Sequence, residues 1–349
     1  MATMNDVARR AGVSVSTVSH VVNGSRVVNE PKRRLVLDAI DHLGYVHNAA
    51  ARALRTSRSD SIGLVVSDAA EPAFAEMVRG VEHEARAAGF TLLLTNSAED
   101  SGREADSIAV LVGRRVDGLI VARAAGAALE PLVALRDRGT PVVLLDRLAD
   151  ESWDQVGVES ASATEAVVSH LIDLGHEHIA LAAGDTRVST LAERKSGYVA
   201  AFQRAGRRVD DALVVEGPGH PDDTRVAVGD LLGRRRNRPT AVFAASTPMA
   251  VGALQAVRDR GLSVPGDIAF AHFDGFPQAD LFTPALTCIE QPAFETGRAA
   301  MRLLRRRIDQ PDVPPETVHL EPTIVHRQSC GCPNPGTPIV SRSRSARGR

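Results

Sequence analysis

The sequence predicts an α/β chain with a small all-helical head, and three observations carry that prediction. Residues 4–43 hold short apolar stripes at helical spacing, broken at Gly12, at Asn23-Gly24 and at Gly44. From Ile62 onward, brief unbroken runs of Val, Leu, Ile and Ala alternate with amphipathic stretches. That is the rhythm of doubly wound parallel sheets with helices on both faces. The length, 349 residues, exceeds one ordinary domain and suits two or three.

The head builds up in order. Thr3 caps a first helix, with Asp6 three residues later in capping-box position, and Val7, Ala8 and Ala11 form its apolar face. Gly12 ends it, because glycine enters the left-handed region without steric cost. Ser14 caps a second helix whose Val18, Val21 and Val22 face inward, leaving Val15, Ser16, Thr17 and His20 outward. Asn23-Gly24 closes it. Asn29 then caps a third helix that starts Glu30-Pro31, where a missing N–H costs nothing, and Leu35, Ala39, Ile40 and Leu43 supply its core face. Two short helices joined by a tight turn form a helix-turn-helix, whose second helix presents its N-terminal residues to the DNA major groove. Thr3, Ser14, Val15, Ser16, Thr17, His20, Asn23 and Arg26 are therefore the candidate DNA contacts of the head.

Charge agrees with that assignment. Residues 1–58 carry nine Lys/Arg and four Asp/Glu, a net +5, whereas residues 59–332 carry a net −11. A basic head on an acidic body attracts phosphates at one end and repels them elsewhere. Between the two lies NAAARALRTSRSDS (48–61). Asn48 can cap a short Ala-rich helix there that is marginal alone and can fold on DNA. An ordinary linker is the alternative.

The expected strands of the body are Ile62–Ser67, Phe90–Thr95, Gly118–Val121, Val142–Asp146, Ile179–Ala183, Ala241–Ala245, Ile268–Phe273 and, last, Thr323–His326. Helices fit near 74–88, 101–114, 129–138, 161–174, 191–206, 224–235, 248–260 and 293–308. Ligands of such sheets bind outside the carboxyl ends of strands, so strand-end residues are the ones to inspect. Asp274 follows one strand, and Arg194 lies early in a helix. A two-oxygen acceptor and a five-donor fork suit sugar hydroxyls, a nucleobase or a carboxylate, although either residue also fits a structural ion pair. Ser189, Thr190 and Ser246 are further polar candidates, and Phe74 offers a ring for stacking or for the core.

Enzymatic sets are missing: no GxGxxG follows the first strand, and no GxxxxGK[ST], GxSxG or HExxH occurs. No cofactor is expected. His170, His176 and His178 share no helical face, so no metal site is expected among them. Cys330-Gly331-Cys332, with His326 four residues upstream, offers two thiols and an imidazole but lacks a fourth ligand. It reads as a spare-thiol tail rather than a metal centre. Three cysteines make no disulfide framework, no apolar run is long enough to span a membrane, and no signal-peptide core starts the chain. A cytoplasmic, nucleoid-associated protein is the expectation. Residues 331–349 close the chain as a Pro/Ser/Arg-rich tail expected to be disordered.

NDVARRAGVSVSTVSHVVNGSRVV and HLGYVHNAAARALRTSRSDSIGLVV, with VDGLIV (116–121), HLIDLGHEHIALAAG (170–184), ERKSGY (193–198), FDGF (273–276) and EQP (290–292), resemble the lactose-repressor (LacI/GalR) family of bacterial transcription regulators. The resemblance runs over roughly residues 3–329. It implies a type I periplasmic-binding-protein-like body whose chain crosses between two subdomains near 160, 290 and 321. The implied domains are a head (1–47), a hinge helix and linker (48–61), and an effector-binding and dimerisation body (62–330). The body would divide into about 62–160 plus 291–320, and 161–290 plus 321–330. It also implies that the hinge helices of a homodimer pair in the minor groove of an inverted-repeat operator, contacting it through Asn48, Ala51, Leu54 and Arg55. Leu54 matches the inserted leucine. Arg194 and Asp274 match positions that commonly contact the effector, a sugar or related metabolite, with Ser189, Thr190 and Phe74 as weaker candidates and Ser246 at the strand end where the family pattern changes. Ser246-Thr247 replaces the family's frequent Asn-Asp, Glu159-Ser160 its Asp-Asn, and 216–223 has no aromatic residue. The function implied is a repressor, not an enzyme. A body that answers to a protein partner through a degenerate cleft is the second reading, and an enzyme on such a body the third.

Overall fold

The computed structural model describes residues 2–23, 26–45, 58–275, 281–332 and 338–339. The hinge candidates Asn48, Ala51, Leu54 and Arg55 lie outside them. The chain divides into two compact units, 1–59 and 60–349.

The head holds α1 (Met4–Ala11), α2 (Val15–Asn23) and α3 (Glu30–Leu43). The Thr3–Asp6 capping box is complete: Asp6 N donates to Thr3 Oγ1 at 3.3 Å and Thr3 N to Asp6 Oδ2 at 2.9 Å. Gly12 takes a left-handed φ of 63° and Asn29 accepts from Lys32 N at 3.2 Å, so each helix boundary lies where its cap requires. Val7, Ala8, Ala11, Val18, Val36 and Ala39 form the core. Leu35 corrects the expected stripe: it is 52% exposed, and Val36 is buried in its place. The true stripe is Val36, Ala39, Ile40, Leu43, which keeps i, i+3, i+4, i+7 spacing one residue out of phase with Leu35.

The second unit contains two sheets. The first is all parallel in the order β11-β5-β4-β3-β1-β2, from β1 (Ser61–Val66), β2 (Thr91–Asn96), β3 (Leu119–Val121), β4 (Val142–Leu145), β5 (Asp154–Val158) and β11 (Thr317–Leu320). The second, ordered β13-β12-β10-β9-β8-β6-β7, comprises β6 (Ile179–Gly184), β7 (Val214–Glu216), β8 (Ala241–Ala244), β9 (Ala269–Phe273), β10 (Thr287–Glu290), β12 (Thr323–Val325) and β13 (Pro338–Ile339). β12 alone runs against the others, pairing antiparallel with both β10 and β13. Helices α4 (Pro72–Ala87), α5 (Ser101–Gly113), α6 (Glu130–Asp137) and α11 (Ala293–Asp309) flank the first sheet. The second is flanked by α7 (Ser160–Asp173), α8 (Ser189–Arg204), α9 (Pro221–Leu232) and α10 (Thr247–Asp259). The chain passes between the sheets after β5, after β10 and after β11.

Five strands escaped the sequence reading: β5, β7, β10, β11 and β13. β5 shows why. Asp154 and Gln155 look unfit for a buried strand, yet both are buried and satisfied. Asp154 accepts from Arg307 Nε at 2.7 Å and Glu316 N at 3.0 Å, and the Gln155 amide donates to Thr317 Oγ1 at 3.0 Å. All these partners lie some 150 residues away in sequence. β2 also departs from expectation: as an edge strand it leaves Leu94 45% exposed. The tail is not wholly irregular, since Gly331 sits in a turn and Pro338–Ile339 pairs with β12. Two glycines fasten the first sheet's covering helices. A Cβ on Gly80 or on Gly297 would lie 2.0 Å from the Phe294 or Met77 carbonyl oxygen, so α4 and α11 touch backbone to backbone. Among the described residues no helix is long and apolar enough to cross a membrane.

Candidate functional site

In the head, the start of α2 forms a small polar tip. Thr17 N donates to Ser14 Oγ at 3.2 Å, the cap expected of Ser14, and Ser14 Oγ lies 2.8 Å from both Ser16 Oγ and Thr17 Oγ1. Val15 is 41% exposed beside exposed Ser14 and Ser16, while Val18 behind them is fully buried. Short side chains on a buried anchor allow the backbone to approach base edges closely. His20 is half-buried on the same helix, Asn23 ends it, and Arg26 is exposed beyond it. Thr3 is exposed but already engaged, donating from Oγ1 to Asp6 Oδ2 at 2.7 Å.

In the body, a cavity of about 860 Å³ opens at the carboxyl ends of strands from both sheets. Asp68 follows β1, Asp146 and Arg147 follow β4, Asp185 follows β6, Ser246 follows β8 and Asp274 follows β9; all line the cavity. Its volume falls in the range of small-molecule sites. Phe74, Thr190, Arg194, Ser246 and Asp274 line it as expected. Ser189 does not, its Oγ being buried at the start of α8.

Arg194 and Asp274 are brought together. Arg194 Nη1 donates to Asp274 Oδ2 at 3.0 Å and to the Ala245 carbonyl at 2.7 Å, and its guanidinium carbon lies 3.6 Å from the Phe273 ring centroid. Gln291 Nε2 donates to Asp274 Oδ1, and Thr247 Oγ1 donates to the Asp274 carbonyl at 3.1 Å. The acceptors of Asp274 are thus largely taken, but Arg194 Nε and Gln291 Oε1 are buried without a partner in a polar cavity. One donor and one acceptor on residues that line the cavity are thus left unsatisfied. On the facing subdomain, Arg147 Nη1 donates to Glu99 Oε2 at 2.8 Å and to the Arg123 carbonyl, and buried Asp146 is held at φ 65°.

Gln291, Asp146, Arg147, Glu99 and Glu71 were missed from sequence. Asp146-Arg147 carried a signal, the strand-end position after VVLL, and Gln291 lies in the EQP segment between β10 and α11. Eight carboxylates and three arginines line the cavity. Such crowding drives protons onto some carboxyls: burial and the nearby Asp274 push Glu71 up to about 8, and burial raises Asp146. Burial also pushes neighbouring Glu193 up to about 7.

A pH prediction follows. Between about 4.5 and about 8 the folded chain holds a proton on Glu71 that the unfolded chain has released, so stability falls as pH rises through that window. The slope from one such group is at most about 1.4 kcal/mol per pH unit, and the incomplete burial of Glu71 narrows the window over which it acts. Thermal melts across this range show Glu71→Gln with a flatter profile; an unchanged profile contradicts the assignment.

A groove-sized helical tip on a basic unit, and a two-sheet unit closing around a polar cavity, define the class: a DNA-binding regulator with a ligand-binding body. Residues 3–48 match the model of bacterial regulatory proteins of the lacI family, and residues 168–330 that of a periplasmic binding protein-like domain. The chain belongs to the LacI family. It is 36% identical to the HTH-type transcriptional repressor PurR of Pectobacterium carotovorum, over 94% of this chain and 97% of that one. To PurR of Escherichia coli O139:H28 it is 34% identical over the same shares. Among solved structures it resembles a CelR–cellobiose complex, with a TM-score of 0.70 and 33% identity over 94% of this chain and 100% of that chain. It also resembles the Lac repressor dimer bound to operator and the anti-inducer ONPF, with a TM-score of 0.82 and 25% identity over 94% and 99%. The two relatives matched along their sequences are named as repressors, not enzymes.

Proposed function

We propose that this chain is a cytoplasmic, homodimeric, operator-specific repressor whose DNA affinity is set by a small molecule in the body's cavity. The observation that carries the effector half is the buried Arg194–Asp274–Gln291 cluster with its unpaired Arg194 Nε and Gln291 Oε1. The effector is a polar metabolite, neutral or cationic, such as a sugar or a nucleobase-like heterocycle, because acidic groups outnumber the arginines around the cavity even with Glu71 and Asp146 protonated, which disfavours an anion. Gln291 also explains how a ligand is felt at a distance. It sits where the chain crosses between the subdomains, so a ligand that pulls on Asp274 and Gln291 biases their closure. The PurR relatives' repressor name and the cellobiose bound by CelR support this reading. Control by a protein partner, raised by Ser246-Thr247, is the weaker reading. Thr247 supports the Asp274 backbone, and the cavity is open to a small ligand.

The domains proposed are the head (1–47), the hinge (48–61) and the body (62–330), with Asn48, Ala51, Leu54 and Arg55 as hinge contacts and Leu54 as a wedge between base steps. Selection from random duplex DNA tests the DNA half and yields an inverted repeat matching the dimer two-fold. His20→Ala changes which base is preferred within a half-site, at about 1–3 kcal/mol. Uniform weakening on all sequences would assign His20 to phosphate instead. A thermal-shift screen of the full chain against sugars, nucleobases and small acids tests the effector half; no hit in any class favours the protein-partner reading.

A further inference from the structure

Two motifs that the regulator reading leaves unused meet in the fold. His170 lies in α7, and Cys330 and Cys332 follow β12 across a turn that Gly331 makes at φ 75°. Their ligand atoms all lie within 4.8 Å of one another, although His170 is 160 positions from the first cysteine. His326 joins them, its ring centroid 4.2 Å from that of His170. Both thiols turn to one acceptor, the Arg327 carbonyl, at 3.3 Å from Cys330 Sγ and 3.6 Å from Cys332 Sγ. We propose that His170, Cys330 and Cys332, with His326 as the fourth group, form a site for a soft divalent cation of the zinc class.

Two independent features support the site. The first is ligand chemistry: two sulfurs and two imidazole rings are a tetrahedral zinc set, and two thiolates neutralise the dication, so burying the assembly carries no net charge. The second is unpaired polarity. His326 is 5% exposed, and its Nδ1, like His170 Nε2, is buried without a hydrogen-bond partner, an expense that a metal removes. Tetrahedral zinc spaces its ligand atoms roughly 3.5–3.8 Å apart, so binding asks for a contraction of about 1 Å, within the reach of side-chain rotation.

The site is a staple, separate from effector binding. None of its residues lines the cavity. It ties α7 to the end of the second sheet, where Ser329 Oγ already donates to the Phe270 carbonyl at 2.7 Å. Binding displaces two thiol protons and adds stability only to the folded chain.

The test uses the full chain, purified reduced and metal-free, titrated with cobalt(II) and then zinc. The expected result is one ion per chain, a thiolate-to-cobalt charge-transfer band with tetrahedral cobalt absorption, and displacement by zinc. Zinc raises Tm and magnesium does not. Cys332→Ser, half-buried and the safer variant to fold, loses the band, as does His170→Ala. Cys288→Ala, on β10 and outside the cluster, keeps it. Absence of a thiolate band in the reduced chain overturns the proposal, and so does stoichiometric binding retained by both Cys332→Ser and His170→Ala.

Discussion

Asp274→Ala abolishes the response to effector and leaves operator binding intact. Asp274 is buried, holds Arg194 and Gln291 in place, and belongs to the body, whereas the head is a separate compact unit. Removing the carboxylate strands the Arg194 guanidinium and lets Arg194 and Gln291 drift. Losing one hydrogen-bonded charged partner in a desolvated site costs about 2–4 kcal/mol, or about 30- to 1,000-fold in effector affinity. Asp274→Asn keeps one acceptor, for Arg194 or for Gln291 but not for both, and loses less than Ala does. Breaking the buried pair also lowers body stability by about 3–5 kcal/mol, so thermal melts accompany the binding assay. Linkage adds a check: an effector that weakens operator binding itself binds more weakly, by the same factor, when operator is present. A folded Asp274→Ala chain that responds normally refutes the site.

Operator affinity falls steeply with salt, by about 10³–10⁵ between 50 and 200 mM for a dimer that contacts six to ten phosphates. The head supplies the charge, with nine Lys/Arg among residues 1–58, and the net −11 over 59–332 cannot substitute for it. Neutralising Arg26, exposed just past α2, lowers the slope of log K against log salt by about one per head and weakens all sequences alike if it meets phosphate. Leu54→Ala behaves differently: it lowers specific affinity more than non-specific affinity, because only the specific complex kinks DNA at the inserted step. Gel-shift or anisotropy titrations on operator and scrambled DNA at several salt concentrations separate the two. Binding that is insensitive to salt contradicts the basic-head assignment.

The sequence by itself determined the local features of this protein. Thr3, Gly12, Ser14, Asn29 and Gly44 mark helix boundaries through bonds and φ angles made within a few residues, so the head was legible before any fold was known. The fully buried strands β1, β3, β4, β6, β8 and β9 were legible for a similar reason: a run apolar on both faces needs no distant partner to declare itself. What depended on pairing was hidden. β5 reads as polar until Arg307 and Thr317 arrive to satisfy it. Arg194 and Asp274, 80 positions apart, became a pair only when α8 and the end of β9 met, and Gln291, Asp146 and Arg147 joined the cavity in the same way. The cysteines looked short of a ligand because His170 lies 160 residues earlier. Capping and apolar periodicity are short-range and leave a mark in the chain. Desolvation, ion pairing and ligand geometry depend on distances through space, which only the tertiary structure sets.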